Sequence, residues 1–274
     1  MEVRSTAKRA ARDAVKGASA GWDTVRRPDV GITILIYHRV GAGTGGQMDL
    51  PVAEFDAQLA WLTANRTVMT LDDAASTIES GSVPGDGVVL TFDDGTDDWL
   101  DHVLPALDRH RTPATFYVAT DFVDRAVPFP GDGRPADWVA LEELASSPLV
   151  TIGSHTHRHL LLDRLPTQEI DDELDRSIEL IRDHLDIDPR HFAYPKAVAG
   201  SPTADAAVRR RFRTAVLAGT RANPPLTDLH RLRRSPVQAS DSARWFRRKA
   251  VGGMHLEDDL RQLANRVRYR GATR

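Results

Sequence analysis

Two aspartates stand where an apolar run of the chain ends. The stretch LTFDDGTDDW, residues 90–99, places Asp93 and Asp94 directly after the run VVLTF. In parallel sheets, catalytic groups collect at the carboxyl ends of the strands. Adjacent carboxylates cannot both stay ionised cheaply unless a cation or strong hydrogen-bond donors compensate their charge. We therefore expect a metal ion beside this pair.

The same stretch also has a purely structural interpretation. A carboxylate at Asp93 could cap the helix that follows, and acidic side chains in a first helical turn interact favourably with the helix dipole. We adopt this interpretation for Asp97 and Asp98, at the start of a helix expected to run to about Arg109. For Asp93 and Asp94 a metal partner is the first hypothesis.

A histidine-rich segment offers that partner. GSHTHRHLLL, residues 153–162, again follows an apolar, strand-like run. In one turn of helix, His155 and His159 would project to the same face and grip one ion, while His157 would point away. A histidine-rich surface turn that binds nothing is the alternative. Two imidazoles and one carboxylate leave positions open for water and substrate, as in catalytic zinc sites, and the second aspartate is then free to act as a base.

Alternating strand and helix patterns predict how these residues are positioned. Short β-branched runs bounded by Gly, Pro or Asp indicate buried strands, and longer amphipathic segments indicate helices between them. Strands are expected at 31–38, 67–71, 88–92, 114–119, 149–154, 191–195, 214–219 and 232–237, and helices at 5–20, 54–65, 72–81, 98–109, 140–146, 167–185 and 255–268. Repeated βα units predict a parallel sheet, closed or open, with its active site at the strand carboxyl ends.

Composition restricts the classes of function. The chain has 274 residues, is 41% hydrophobic and contains no cysteine, so any metal must bind histidine, carboxylate or water. A net charge of −3 conceals basic ends, because residues 1–27 carry seven basic and three acidic side chains and residues 205–274 carry seventeen and six. Such ends could meet anionic lipid or a polyanionic substrate, or be solvated helix faces. Neither zinc-finger spacing nor interleaved aromatic residues indicate nucleic acid binding.

Three segments are predicted along the chain. They are a basic N-terminal helical extension (1–27), one α/β domain (28–250) and a basic C-terminal helical tail (251–274). No window approaches the ~18 apolar residues of a spanning helix, and the N-terminus lacks the apolar centre of a signal peptide. We therefore expect a cytoplasmic protein, with peripheral contact to an anionic membrane through the basic termini left open.

The order of several motifs resembles that of one protein family. TFDDG at 91–95, followed by HTHRH at 155–159, resembles the polysaccharide deacetylase family, the NodB homology domain of carbohydrate esterase family 4. The resemblance covers about residues 31–250. It also includes ILIYHRV (34–40), FDAQLAWL (55–62), LVTIGSHTHRHL (149–160) and FAYP (192–195), the last of which indicates the subgroup with an FAYP-type third motif.

The resemblance implies a fold, a reaction and site residues. The expected fold is α/β, a distorted (β/α) barrel with about seven strands, and the reaction removes an N- or O-linked acetyl group from a sugar. By its place in TFDDG, Asp93 would be the general base and Asp94 a metal ligand. His155 and His159 would complete the metal triad, and Thr156 would steady their loop.

The third motif departs from the family pattern. Many members have an arginine two positions before its proline to hold the base aspartate, where this chain has Ala193. Relatives with an FAYP-type motif often end in a strand R-x-P-V, which matches residues 234–237, so Arg234 is expected to orient Asp93. The backbone N–H of Tyr194 is expected to share the oxyanion charge with the metal, although its ring could serve packing alone.

The general acid is less clearly indicated. Many members have a late histidine in this role, and none occurs at 232–237. His38 is the better candidate because it leaves the first strand beside the site, with a buried core histidine as the alternative. His230 is the weaker one.

Three functions follow as hypotheses. The leading one is a metal-dependent polysaccharide deacetylase that acts on the acetylated sugars of a polysaccharide or its precursor. Its metal is expected to be Zn²⁺, with Co²⁺, Ni²⁺, Fe²⁺ or Mn²⁺ as alternatives. The second is a deacylase or deformylase of a lipid- or nucleotide-linked sugar at the cytoplasmic membrane face. The third is a carbohydrate-binding relative without turnover.

Overall fold

A parallel β-barrel surrounded by helices forms the body of the protein. The computed structural model describes residues 2–25 and 27–268. The strands are β1 (Thr33–Tyr37), β2 (Arg39–Val40), β3 (Asp49–Leu50), β4 (Thr67–Val68), β5 (Gly87–Asp94), β6 (Ala114–Val118), β7 (Val150–Ser154), β8 (His191–Ala193), β9 (Thr214–Ala218) and β10 (Leu232–Pro236). Every pairing between them is parallel.

Strand β1 closes the barrel because it pairs on both of its edges. Thr33–Tyr37 runs alongside residues 88–92 of β5, and Ile34 lies opposite Arg234 of β10. The circuit β1-β5-β6-β7-β8-β9-β10 therefore returns to its start with seven strands, and β4 adds to the edge of β5. This arrangement confirms the expected (β/α) barrel, and it brings seven strand carboxyl ends to one rim.

Helices cover the outside of the barrel. They are α1 (Glu2–Val25), α2 (Val52–Asn65), α3 (Leu71–Glu79), α4 (Leu104–His110), α5 (Thr120–Asp124), α6 (Trp138–Ala145), α7 (Thr167–Leu185), α8 (Pro202–Arg211), α9 (Ala243–Lys249) and α10 (His255–Arg268). A π-helical turn, Trp99–Val103, leads into α4. Among the described residues, no helix has both the length and the apolar character needed to cross a membrane.

Side-chain alternation in β5 separates the outer core from the barrel interior. Phe92 packs outward, stacked on Phe116 at 4.8 Å and in contact with Phe55 of α2. Successive residues of a strand face opposite sides, so Thr91 and Asp93 point inward. The apolar outward residues anchor β5 and thereby aim Asp93 into the barrel at its carboxyl end.

The two terminal helices pack on each other beside the loop that follows β10. Asp23 of α1 accepts a hydrogen bond from the N–H of Met254, at 2.6 Å, just before α10 begins. Lys16 of α1 and Lys249 of α9 both donate to the carboxylate of Asp241, and all three residues are buried. These contacts attach both helices to the barrel.

The predicted elements agree with the observed ones for the eight longer or barrel-forming strands and for the predicted helices, within a few residues at their ends. The sequence patterns do not predict the two-residue strands β2 and β3, nor the short helices α5, α8 and α9. The region near Asp98 begins with the π-helical turn in place of a regular α-helix.

Candidate active site

Asp93 is held inside the barrel rim by a bidentate ion pair. Arg234 reaches across from β10 and donates from Nη1 to Asp93 Oδ1 at 2.5 Å and from Nη2 to Oδ2 at 2.7 Å. The guanidinium is fully buried. Such a fork-to-fork contact fixes the orientation of the carboxylate as well as its charge.

Other side chains inside the barrel also contact Arg234. Its Nη1 also donates to Thr91 Oγ1 at 2.9 Å, and its guanidinium carbon lies 5.2 Å from the centre of the Tyr117 ring. The Tyr117 ring occupies the space beside Gly153, where an added Cβ would lie 2.7 Å from a ring carbon. Thr91, Tyr117 and Gly153 therefore form the packed surroundings that hold the Arg234 guanidinium against Asp93.

The ion pair determines the protonation state of Asp93. Burial alone would raise the pKa of this carboxyl, but the charge of Arg234 and the hydrogen bonds from it outweigh burial and lower the pKa to about 2. Asp93 is therefore ionised throughout the physiological pH range.

Asp94, His155 and His159 bring three potential metal-ligand atoms together beside this pair. The Nε2 atoms of His155 and His159 lie 3.9 and 3.8 Å from Asp94 Oδ1, and the three ligand atoms are all within 4.8 Å of one another. These separations are too long for hydrogen bonds and leave room for an ion between the atoms. His155 Nε2 also lies 4.0 Å from Asp93 Oδ2, so the cluster and the ion pair are adjacent.

The protonation of the two histidines suits metal binding. Burial lowers the pKa of His155 to about 4, and burial together with the charge of Lys196 lowers that of His159 to about 4, so both imidazoles are neutral at physiological pH. His155 Nδ1–H donates to the carbonyl of Ala193 at 2.7 Å, which leaves its Nε2 lone pair toward Asp94. This donor set fits a divalent ion of the zinc type.

His155 and His159 point to the same site, but not because they lie on one face of a helix. Residues 155–159 form an irregular loop, so the expectation of one helical turn is wrong. The loop bends through left-handed backbone at Thr156, with φ 64°, and at His159, with φ 58°. Asp94 has φ 93° as well. Such conformations cost non-glycine residues on the order of 1–3 kcal/mol each, which surrounding contacts must offset.

His38 lies at the same rim but outside the ligand cluster. It is half-buried, its backbone carbonyl accepts a hydrogen bond from Trp99 Nε1 at 2.8 Å, and its Nδ1 has no hydrogen-bond partner among the described residues. Its charge contributes to lowering the pKa of Asp93 and of His159. His230, in contrast, precedes β10 at the opposite end of the barrel, where its Nε2 contacts the carbonyl of Phe212.

Tyr194 does not present the free donor that the sequence predicts. Its backbone N–H donates to the carbonyl of Val216 at 3.2 Å and so extends the pairing of β8 with β9. Its ring is buried edge-on against Phe192, and its hydroxyl points to Asp205. The N–H could reach an oxyanion only by sharing or leaving the bond to Val216.

Two smaller expectations also need revision. Asp98 stands where the helical segment begins, as expected, but its carboxylate makes no hydrogen bond to that segment: it is buried and accepts the backbone N–H of Val40 at 2.7 Å, while Asp97 pairs with Arg134. The hydroxyl of Thr156 has no partner among the described residues, so it does not steady the loop. That task falls to Glu173, a buried residue of α7 that accepts the N–H of Arg158 at 2.8 Å.

Sequence reasoning missed Thr91, Tyr117, Gly153 and Glu173. Thr91 stands within the TFDDG motif, where inward alternation with Asp93 was an available signal. Glu173 interrupts the apolar face of a long amphipathic helix, which is a second available signal. Nothing local in the sequence distinguishes Tyr117 or Gly153.

Comparison with known proteins places this site in a family. The polysaccharide deacetylase family profile matches residues 80–215, which contain Asp93, Asp94, His155 and His159. A Bacillus subtilis (strain 168) protein named "Putative polysaccharide deacetylase YxkH" is 26% identical over 223 residues, covering 80% of this chain and 76% of that protein.

Solved structures show the same architecture. IcaB from Ammonifex degensii is 25% identical with a TM-score of 0.71, over 82% of this chain and 98% of that one. A de-N-acetylase from Aggregatibacter actinomycetemcomitans is 19% identical with a TM-score of 0.68, over 80% of this chain and 99% of that one, and supports the fold. The segment that carries the site, residues 80–215, belongs to the polysaccharide deacetylase family of hydrolases.

Proposed function

We propose that the chain is a metal-dependent hydrolase that removes N-acetyl or O-acetyl groups from the sugars of a polysaccharide or its precursor. One observation carries this proposal: an ionised aspartate, Asp93, lies beside the cluster of Asp94, His155 and His159 at the barrel rim. Membership of the polysaccharide deacetylase family supports the acetylated carbohydrate as the substrate class.

The cluster would hold one divalent ion. Zinc is the first expectation, and Co²⁺, Ni²⁺, Fe²⁺ and Mn²⁺ accept the same two imidazoles and one carboxylate. When bound, such an ion polarises the acetyl carbonyl and lowers the pKa of a water molecule. The Ala193 carbonyl keeps the His155 ring in the tautomer and orientation that this role requires.

Asp93 would accept the proton of the attacking water. Arg234 keeps Asp93 ionised and aimed, and by lowering its pKa to about 2 it also makes Asp93 a weak base. A weak base serves this reaction only if the water is unusually acidic. The neighbouring ligand cluster supports that condition.

Two further residues would act as general acid and as oxyanion donor during the reaction. His38 would return a proton to the leaving amine, because it lies at the same rim and its Nδ1 has no partner among the described residues. The Tyr194 N–H would contribute to oxyanion stabilisation after releasing Val216, while its side chain stays in the core.

The decisive experiment replaces Asp93 and keeps the ligands. Asp93→Asn should retain the divalent metal and lose acetate release from chito-oligosaccharides by roughly 10²–10⁴-fold, the usual contribution of a general base. The matched control is Asp97→Asn, which makes the same chemical change at a partly exposed residue paired with Arg134. Full activity of Asp93→Asn would overturn the base assignment, and a wild-type protein that is active without metal would overturn the metal assignment.

A second candidate substrate is a lipid- or nucleotide-linked sugar carrying an acyl or formyl group at the cytoplasmic membrane face. The exposed apolar residues of α1 favour it, since Trp22 is 50% and Val25 81% exposed at one of the basic ends of the chain. Co-sedimentation with anionic but not neutral vesicles, reduced by Trp22→Ser, would support it. Removing residues 1–27 is a poorer test because Lys16 is part of the buried contact with Asp241. If neither the wild type nor Trp22→Ser co-sedimented with anionic vesicles, this candidate function would be contradicted.

A further inference from the structure

The buried face of α7 contains two polar residues among its apolar ones. Ile170, Leu174, Leu180 and Ile181 pack against the barrel as expected, but Glu173 and Ser177 are fully buried as well. A buried carboxylate is costly unless it is paired and hydrogen-bonded, so its presence calls for a specific partner.

Both polar residues contact the segment that carries the metal-ligand histidines. Ser177 Oγ lies 2.7 Å from Ser154 Oγ, at the end of β7 and one residue before His155. Glu173 Oε2 accepts the backbone N–H of Arg158 at 2.8 Å, and Oε1 accepts its Nε–H at 2.5 Å. Arg158 immediately precedes His159.

The backbone of α7 adds a third contact to the same loop. The carbonyl of Glu173 accepts the N–H of His157 at 3.1 Å. On the opposite side, the Asp121 N–H at the start of α5 donates to the His157 carbonyl at 2.9 Å, and Thr120 Oγ1 lies 3.0 Å from His157 Nδ1. Residues 157 and 158 are thus held between two helices, and the two histidines of the cluster flank them.

This support compensates for an unfavourable loop conformation. Thr156 and His159 both have left-handed backbone, and the Thr156 hydroxyl has no partner among the described residues. The loop therefore cannot hold its shape by local preference. The contacts from Glu173 to Arg158 lie one residue before His159.

We propose that Glu173 is a positioning residue for the metal site, which it serves through Arg158. Its carboxylate holds the main chain and side chain of Arg158 and thereby fixes the turn that aims His159 Nε2 at Asp94. The inference rests on the proposed function for the existence of the metal site. It adds a residue that touches neither substrate nor ion.

The test compares Glu173→Gln with Glu179→Gln in the full chain. Glu179 is on the same helix, its side chain is 58% exposed, and its ion pair with Arg176 is on the surface. The measured quantities are the Co²⁺ dissociation constant of the metal-free protein, the visible absorption of the Co²⁺ form, and the thermal midpoint without metal. Glu173→Gln should weaken Co²⁺ binding by roughly 10–100-fold and alter the absorption bands, the effect typical of losing an outer residue that orients a metal ligand. Glu179→Gln should match wild type.

Rescue and the thermal midpoint together separate positioning from general destabilisation. Acetate release by Glu173→Gln should recover as the metal concentration is raised to saturation. Because a metal that binds the folded state also stabilises it, a metal-free thermal midpoint close to that of wild type is the result that assigns this recovery to restored metal binding. An unchanged Co²⁺ dissociation constant would overturn the inference, as would a defect that excess metal leaves intact. If the wild type binds Co²⁺ and releases no acetate, the proposed function fails while the Co²⁺ comparison still decides the role of Glu173.

A second variant keeps the inference testable if Glu173→Gln does not fold. Arg158→Ala removes only the side-chain half of the contact at a residue whose side chain is 45% exposed. It should weaken Co²⁺ binding by several-fold, less than Glu173→Gln, because the backbone N–H still reaches the carboxylate. Co²⁺ binding equal to wild type in this variant would count against the proposal.

Discussion

The two halves of the site are built in different ways. Asp93 and Arg234 belong to regular strands, face the barrel interior, and meet through a bidentate ion pair that the closed sheet encloses. His155 and His159 flank an irregular loop with left-handed residues, which helices outside the barrel hold in place. Strand register positions the carboxylate–guanidinium pair, and the Ala193 carbonyl of β8 orients His155. Two helices hold residues 157 and 158, which precede His159.

The geometry of each half therefore depends on different interactions. Register across β5, β1 and β10 is cooperative, so the Asp93–Arg234 pair shares the stability of the whole barrel. The histidine loop depends on a few local hydrogen bonds, so single substitutions can disturb it without unfolding the barrel. Single substitutions can therefore affect one half, both halves, or neither.

The largest effect is expected from Arg234→Met. Removing the guanidinium leaves the Asp93 carboxylate buried without a cation, which should lower the free energy of unfolding by about 3–5 kcal/mol. Acetate release should fall by at least about 10²-fold because Asp93 loses its orientation and its ionised state is no longer favoured. Urea unfolding and an acetate assay measure the two effects.

The control for this variant is Arg233→Met, at the neighbouring position where the side chain is exposed. The folded fraction of Arg234→Met should still bind Co²⁺, since Asp94, His155 and His159 are untouched. If Arg234→Met lost its Co²⁺ affinity while remaining folded, the two halves of the site would not be separable.

Gly153→Ala should disturb both halves. The new Cβ would lie 2.7 Å from the Tyr117 ring, which supports Arg234, and 2.8 Å from the His191 carbonyl, at a position two residues before His155. Overpacking of this kind costs about 1–3 kcal/mol. Co²⁺ affinity and acetate release should decline together, as measured by titration and assay.

The matched control is Gly17→Ala on the exposed side of α1, where an added Cβ meets nothing within 4 Å. It should raise the free energy of unfolding by about 0.5–1 kcal/mol, because alanine loses less backbone entropy than glycine in a helix. A Gly153→Ala protein as stable as wild type would show that the barrel interior can relax around Tyr117.

The strands that form the regular half of the site, and the place of Asp93 on them, could be predicted from the sequence. The apolar runs of the strands predict a parallel sheet and place Asp93 at the carboxyl end of one strand, since strand patterns report directly on burial. The closure of that sheet into a barrel and the Arg234 position were indicated only by resemblance. Asp93 and Arg234 are 141 residues apart, and no local rule relates the registers of β5 and β10.

The irregular half was only partly accessible. The residue types and spacing of His155 and His159 indicate a metal site, but the predicted helical turn is wrong because hydrogen bonds to α5 and α7 override local preference. For the same reason Tyr194 and Asp98 were misplaced: Val216 takes the Tyr194 N–H, and the N–H of Val40 draws the Asp98 carboxylate inward. Such tertiary partners cannot be identified from spacing along the chain.

The smallest change in function is expected at Asp98, which links β2 to the segment after Asp94. Burial raises the pKa of Asp98 to about 6, despite the bond from the Val40 N–H. The folded protein therefore binds this proton more tightly than the unfolded chain does. The resulting stabilisation is present at low pH and is lost as the pH rises through about 6.

Asp98→Asn keeps an acceptor for the Val40 N–H and removes the titration. Relative to wild type, its free energy of unfolding should therefore improve by about 2 kcal/mol between about pH 4 and about pH 7, while acetate release stays near wild type. Urea unfolding at the two pH values measures the shift. A stability difference independent of pH would mean that the Asp98 carboxylate is compensated in the folded state. In that case, Asp98 would be a charged and compensated carboxylate in the folded protein, as Asp93 is, and not a group that burial keeps neutral, as it does His155 and His159.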